Sequence, residues 1–346
     1  MENKNYFHRV SELTQTQFWI NNVTEKEAYR AIEEGAVGCT QNPSYVWKMM
    51  QKEELQSKIN ALIDQYKELD TTGIVVNIQR DLVGEIAKIF KPIYDNTFKK
   101  NGYVSIQGDP FHEDCDTIVR YGRLNREAGE NIMCKVPVTE EGLKAIEILA
   151  SEGVPINATE VMSVRQALDV CEVYKKETKS LEKKAPIYFS HISGILEEYL
   201  KKTAEKEGID IYDDFLWQAG IAAAKKTYWM CKKANSEVGF IGGGARGLHH
   251  FTEMVGAEAS ITINWVGTAD KLIEKNPPVV ERFRMETPEA VIDELCDKLP
   301  DFRKAYFVNE IKPEEYEEFG PVVLFRSSFE EAWRNAEQYV NDYLNR

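Results

Sequence analysis

The chain has 346 residues, enough for one large α/β barrel or two average domains, with a core that needs no disulfide or metal staple. Apolar residues make up 43% and charged residues 29%, ordinary globular values that exclude a disordered, collagenous or coiled-coil chain. With 57 acidic against 43 basic side chains the net charge is −14, so a polyanion meets net repulsion and nucleic acid is not an expected partner.

The segment from Met1 to Arg9 lacks the basic-then-apolar order of a signal peptide, and no stretch approaches 18 uninterrupted apolar residues. A cytoplasmic address without membrane contact is the default expectation. The six cysteines, Cys39, Cys115, Cys134, Cys171, Cys231 and Cys296, include no CxxC pair and read as buried, reduced thiols.

Short β-branched or apolar runs at 17–21 and 36–40 open the chain. A long, mostly helical stretch follows at about 54–100, with Ile59, Leu62, Ile63 and Tyr66 and then Leu82, Ile86, Ile89 and Phe90 at helical spacing. The run Ile74-Val75-Val76 is its one ambiguous break. Further strands are expected at 102–107, 132–136, 155–159, 187–190, 239–242 and 260–264, separated by helical stretches such as 141–151. The Lys-rich stretch 175–184 reads as a solvated loop or helix end.

Eight strands with helical crossovers predict an α/β fold, a closed (β/α)8 TIM barrel over 1–287 that includes the helical insertion. Residues 288–346 form a C-terminal helical extension packed on it, with Pro321 to Phe325 as a short strand or buried loop. Trp217, Trp229 and Trp333 read as packing, and His249-His250 as solvent-facing. The metal-type residues between Phe111 and Asp116 sit in one loop without distant ligands, so no metal site is expected.

The most informative segment is Ile132-Met133-Cys134-Lys135-Val136-Pro137. A lysine centred in an apolar strand is costly to bury, and desolvation lowers its pKa toward the neutral amine that attacks carbonyls. At its reference pKa only about 0.04% of lysine is neutral at pH 7, so a shift of a few units raises the nucleophile supply about a thousandfold. A purely structural lysine that snorkels to a strand end or pairs with a carboxylate fits this strand equally. The other strands add weight to the first reading. Asn21, Thr40 and Asn42, Gln107, Asn157 and Thr159, and Ser190 and His191 fall at or just past strand ends, where a parallel barrel builds its site.

The block Cys134-Lys135-Val136-Pro137-Val138-Thr139-Glu140-Glu141-Gly142-Leu143, continuing to Pro155-Ile156-Asn157-Ala158-Thr159, closely resembles the central motif of the transaldolase family, which includes a short fructose-6-phosphate aldolase branch. Gly38-Cys39-Thr40-Gln41-Asn42-Pro43-Ser44 is similar to that family's second-strand signature, G-x-T-T-N-P-S. The resemblance runs more weakly from Gln17 to about Lys275. It implies a (β/α)8 barrel and class I chemistry with Lys135 as the Schiff-base lysine and no cofactor. It further implies that Thr159 and Gln107 orient a proton-shuttling water, that Asn42 and Asn157 bind substrate hydroxyls, and that Thr40 lines the same wall.

The departures bear on function. The family's first strand ends in Asp, whereas Asn21 stands here and carries no useful proton near pH 7. The sixth-strand pattern S-P-F-V-G-R or A-P-Y-V-N-R contains a phosphate-binding Arg, and Gly194 or Ile195 takes its place. The same one-residue shift leaves His191 either replacing a structural Pro or standing for the aldolase Tyr as general acid/base. Gly242-Gly243-Gly244-Ala245-Arg246 aligns with the family's A-S-F-R/K segment, so Gly244 and Arg246 are candidates for an anion site.

Three functions remain open at this level. The first is a transaldolase moving a dihydroxyacetone unit between phosphorylated sugars. The second is an aldolase or transaldolase retuned to a non-phosphorylated or differently anionic ketose. The third is a catalytically silent barrel with a binding role. The partners implied are sugars or sugar phosphates. Family members assemble differently, so a homo-oligomer is compatible with the sequence.

Overall fold

Because each apolar run is followed by an amphipathic helix, each strand can return to pair in parallel with its predecessor. The strands are β1 Gln17–Asn21, β2 Ala36–Gln41, β3 Val104–Gln107, β4 Ile132–Pro137, β5 Ile156–Val161, β6 Ile187–His191, β7 Gly239–Gly242 and β8 Ser260–Ile263. They close in sequence order, with β8 hydrogen-bonded back to β1. A computed structural model describes residues 4–234 and 236–345; residues 1–3 of the N-terminal segment lie outside it. The expected (β/α)8 barrel is what the chain forms.

Local signals set the helices. The Thr139 side chain accepts from the Gly142 amide and starts Glu140–Ser151, and a Ser163/Gln166 capping box starts Val164–Glu177. The 54–100 stretch folds as helices Gln56–Tyr66 and Thr71–Asn96. The ambiguous Ile74-Val75-Val76 lies inside the second, where Ile74, Ile78, Leu82 and Ile86 bury one face and override β propensity. Pro321 to Phe325 is a correction: it is neither strand nor loop but the first turns of the helix Gly320–Leu344, whose start a proline tolerates well.

Side chains alternating inward along the strands fill the barrel in layers. The floor is Trp19, Tyr103, Met133 and Ile241, all buried. Gly38 is required there, since a Cβ would stand 2.3 Å from the Trp19 ring. At the opposite, C-terminal mouth, the helix Gly320–Leu344 packs on Ser44–Met50, Thr71–Asn96 and Ser193–Glu207. Its Phe325, Ser328 and Phe329 look onto the barrel opening.

Two surface expectations are corrected. Trp217 and Trp229 each pack one ring face, against His249 at 4.3 Å and Phe283 at 5.3 Å, but leave 43% and 51% exposed, whereas Trp333 is fully buried. His249 and His250 are buried, not solvent-facing, because both turn back onto Glu197. All six cysteines are free, five buried and Cys115 half-buried. No described helix is long and apolar enough to cross a membrane.

Candidate active site

The register of the central strands sets Gln107 directly beside Lys135, and Lys135 beside Asn157. All three are buried, and Lys135 lies two residues beyond Met133 of the floor layer. Lys135 is 7% exposed, and burial lowers its pKa from 10.5 to about 8 while the Glu160 carboxylate opposes the shift. At pH 7 about a tenth of the amine is then neutral, roughly two-hundredfold more than for a free lysine. Its Nζ lies 6.0 Å from the centre of the Phe329 ring, so the C-terminal helix closes over it.

Lys135 sits at the base of a cavity of about 200 Å³ whose walls include Asn21, Thr40, Asn42, Ser190, Gly244 and Arg246. The sequence reading of the wall therefore brings these residues together. Thr40 Oγ1 donates to Asn21 Oδ1 at 2.9 Å, and Asn21 Nδ2 donates to Asn264 Oδ1 at 3.0 Å. Asn42 Oδ1 accepts from Asn22 Nδ2 at 2.9 Å and from the Ser44 amide at 3.1 Å, which shapes the loop after β2. Asn157 lies beneath the wall, accepting from Ser190 Oγ at 2.7 Å and donating to Ser105 Oγ at 3.1 Å. Thr159 is fully buried, with its Oγ1 unpartnered.

His191 is a correction. Ser190 faces the barrel interior, so the period-two alternation turns His191 outward, where it stacks parallel to Phe240 at 6.3 Å. Both ring nitrogens lack partners, and burial lowers its pKa to about 3, which disfavours the imidazolium form. It does not line the cavity and reads as packing between barrel and helices.

The residues read from the sequence as anion-site candidates are engaged within the protein. Arg246 reaches the cavity rim, but its Nε is held by Glu198 Oε2 at 2.5 Å. A sixth-strand arginine has no room: a Cβ at Gly194 would stand 2.1 Å from the Gly244 carbonyl oxygen, and Ile195 is buried. Gly244 itself has φ +68°, and a Cβ there would meet Ile192 at 2.4 Å. Next door, His249 Nε2 contacts Glu197 Oε2 at 2.8 Å and His250 Nε2 the same oxygen at 3.2 Å. The other His250 nitrogen, Nδ1, accepts the Arg246 amide at 3.4 Å, leaving its proton on Nε2. The His249–Glu197 contact ties this loop to Ser193–Glu207, and the ligand-type atoms of Glu197, His249 and His250 lie within 4.8 Å of one another, close enough to hold a metal ion.

Several site residues escaped the sequence reading. Asn22, Thr262 and Asn264 line the cavity, and Thr262 Oγ1 meets Thr40 Oγ1 at 2.8 Å. Their strand-end positions were a usable signal. Glu113 and Glu160 are the larger omission. Gln107 Nε2 donates to Glu160 Oε1 at 3.0 Å and to Glu113 Oε1 at 3.3 Å, so one amide links two inward-turned carboxyls beside Lys135. A strand period of two sends residue 160 outward, but the β5/β6 register slips between Ala158 and Val161, and Glu160 has φ +62°. The bulge re-aims its side chain into the barrel. Glu113 sits within the loop read above for metal-type residues. There His112 pairs with Asp109 at 2.6 Å and Asp114 caps Cys115–Arg126, which leaves Glu113 free to turn in.

A larger cleft, about 530 Å³, opens at the other end of the barrel around Gln17, Tyr188 and Ser260. It surrounds the N-terminal ends of the strands, where barrels of this kind do not build catalytic sites.

Fold and site together define a closed parallel barrel with a buried lysine among amides and hydroxyls at its C-terminal mouth. The family model for transaldolase/fructose-6-phosphate aldolase matches residues 18–306, and the chain belongs to that family. It is 28% identical over 194 residues to transaldolase 2 of Nostoc sp., covering 52% of this chain and 48% of the relative. Over 164 residues it is 32% identical to a transaldolase of Helicobacter pylori, covering 45% and 49%. A probable transaldolase of Aquifex aeolicus is 35% identical over 111 residues, covering 31% and 50%. The chain thus spans about half the length of the curated relatives it matches.

Proposed function

We propose that this protein is a transaldolase-like enzyme that takes a dihydroxyacetone unit from a ketose, carries it as an adduct on Lys135 and passes it to an aldehyde acceptor. The observation that carries this reading is the buried Lys135 amine, with its pKa lowered to about 8, at the base of a polar cavity in the barrel mouth. The neutral amine attacks the ketose carbonyl and loses water to give an imine. The protonated imine accepts the electron pair of the C3–C4 bond as it breaks, leaving an enamine on the lysine. Asn21, Thr40 and Ser190 offer donors and acceptors to the hydroxyls of the retained three-carbon unit. A cavity of about 200 Å³ suits such a unit better than a complete sugar phosphate.

A second reading, a donor without phosphate, is favoured by the Arg246–Glu198 pair, which neutralises the cation at the rim. A silent barrel is disfavoured, because a buried amine costs stability that a binding role does not repay. Borohydride reduction with fructose 6-phosphate, fructose or dihydroxyacetone, followed by peptide mass spectrometry, tests the assignment. A reduced adduct on Lys135, absent in Lys135→Met, is expected, and the ketose that gives it distinguishes the first two readings. A folded protein that forms no adduct with any of the three contradicts both.

A further inference from the structure

Among the described residues, one cluster of ligating side chains joins two segments far apart in sequence. His249 and His250 follow the loop after β7, and Glu197 lies on the helix Ser193–Glu207. His249 Nε2 is 2.8 Å from Glu197 Oε2, and His250 Nε2 is 3.2 Å from the same oxygen. The His249 contact is a hydrogen bond. His250 Nε2 makes none in spite of its distance, although its side chain is only 1% exposed. A buried ring nitrogen aimed at a carboxylate and left without a hydrogen bond is costly, and it calls for a partner of another kind.

The spacing fits a tetrahedral metal. Zinc held at about 2.0–2.1 Å by two imidazole nitrogens and a carboxylate oxygen sets its ligand atoms about 3.3–3.4 Å apart. The His250–Glu197 pair is close to that already, and the His249–Glu197 pair reaches it by opening about 0.5 Å as its hydrogen bond is given up. The rings are held ready. Trp217 stacks on His249 at 4.3 Å, and Gly247 leaves the space, since a Cβ there would stand 2.7 Å from His249 Nδ1. The two imidazole centroids are 4.0 Å apart, so both rings cannot be cationic at once and a nitrogen lone pair is kept for a ligand. Metal binding moves the proton of each ring from Nε2 to Nδ1. For His250 this ends the amide contact from Arg246, which at 3.4 Å is near the limit of a hydrogen bond, and the Gly247 backbone beside the ring receives the proton. His249 and Glu197 side chains are 10% and 16% exposed, which gives an ion a path in.

We propose that Glu197, His249 and His250 bind one divalent transition-metal ion of the zinc class, with a fourth position left to water. Two imidazoles and one carboxylate are the donors such an ion takes, and three protein ligands leave one coordination position open. The ion staples the loop that carries Gly244 and Arg246, which line the cavity, to the helix that carries Glu198, the partner of Arg246. It stabilises the fold and fixes the rim of the cavity from behind. None of the three ligands lines the cavity around Lys135, so the site is independent of the reading of that lysine as nucleophile.

The test is titration of the metal-stripped, reduced full-length protein with Co²⁺ and then Zn²⁺, for wild type, His249→Gln, Glu197→Gln and Trp217→Phe. Wild type is expected to bind one equivalent of Co²⁺ with the visible bands of a four- or five-coordinate ion and without the near-ultraviolet band of thiolate ligation. Trp217 stacks on a ligand, so binding is expected to quench tryptophan fluorescence by an amount that Trp217→Phe removes while still binding the ion. Zn²⁺ is expected to displace Co²⁺ and raise the melting temperature, and a chelator to reverse both. His249→Gln and Glu197→Gln are each expected to weaken binding more than about a hundredfold, beyond the loss of an outer-shell partner. The wild-type spectrum and the Trp217 quenching decide the matter even where a ligand variant does not fold. No bound equivalent at micromolar protein and metal overturns the proposal. So does a thiolate band, an ion that leaves Trp217 unquenched, or a folded ligand variant that binds as wild type does.

Discussion

Arg246 and Glu198 form an ion pair at the rim of the cavity, Nε to Oε2 at 2.5 Å, and Glu198 also holds Lys202 at 2.5 Å. Arg246 is 44% exposed, so the pair is screened by solvent and its loss alters stability little. Its effect on ligands is larger, because a guanidinium already matched to a carboxylate offers less to phosphate. Glu198→Gln is expected to strengthen competition by inorganic phosphate against adduct formation by up to about fivefold, an effect that fades at high salt. Phosphate inhibition constants for the two proteins check this, and equal values remove Arg246 from the substrate site.

Trp19 and Gly38 predict a different kind of failure. The Trp19 indole is fully buried in the barrel floor, and an added Cβ at residue 38 would stand 2.3 Å from its ring. Gly38→Ala must displace the indole against its neighbours, at a cost of about 1–3 kcal/mol. Thermal melts are expected to show that loss, and Trp19→Phe introduced with Gly38→Ala to recover part of it. Recovery reports a direct steric coupling between the two positions. Independent, additive losses would place the strain elsewhere.

The eight strands were legible because each is a short apolar or β-branched run bounded by turn residues, and Lys135 because it interrupts such a run. What the sequence hid depends on contacts between distant segments. Ile74 to Val76 carry β propensity but join a helix whose buried stripe continues through Ile86. His249 and His250 look solvent-bound until Ser193–Glu207 brings Glu197 against them. Glu160 was invisible for a sharper reason: one bulge in β5 reverses the face that the strand period assigns to it. The C-terminal helix was legible as helix, yet no local pattern tells that Phe329 ends above Lys135.

Phe329 is 1% exposed, and its truncation to alanine is expected to cost about 3–5 kcal/mol and to admit water over Lys135. Two effects on the amine then compete. Losing the ring face removes a cation contact worth about 0.5–1 kcal/mol at 6.0 Å, which lowers the pKa. Rehydration relieves burial, the dominant cause of its fall to about 8, and raises it. The second is larger, so half-maximal trapping is expected at a more alkaline pH in Phe329→Ala, with slower trapping at pH 7. Phe329→Leu should give a smaller shift in the same direction. An unchanged pH midpoint in the alanine variant means that Phe329 does not keep the amine dry.

The lowered pKa of Lys135 also fixes how stability depends on pH. The folded state releases this proton near pH 8 and the unfolded chain near 10.5, so within that window the unfolded state binds more protons. Stability contributed by this group therefore rises with pH from about 8 to about 10.5 and is lowest below that range. The shift corresponds to about 3 kcal/mol of destabilisation at pH 7, an upper figure because the site relaxes around the ammonium. Lys135→Met removes the charge and keeps most of the side-chain volume. It is expected to melt several degrees above wild type at pH 7, with the difference shrinking steadily between pH 8 and 10.5. Reading the difference between the two proteins cancels the lysines and tyrosines that titrate in both. A variant less stable than wild type at pH 7 would mean that the ammonium is held by favourable contacts, and the amine would then be charged and unreactive at neutral pH.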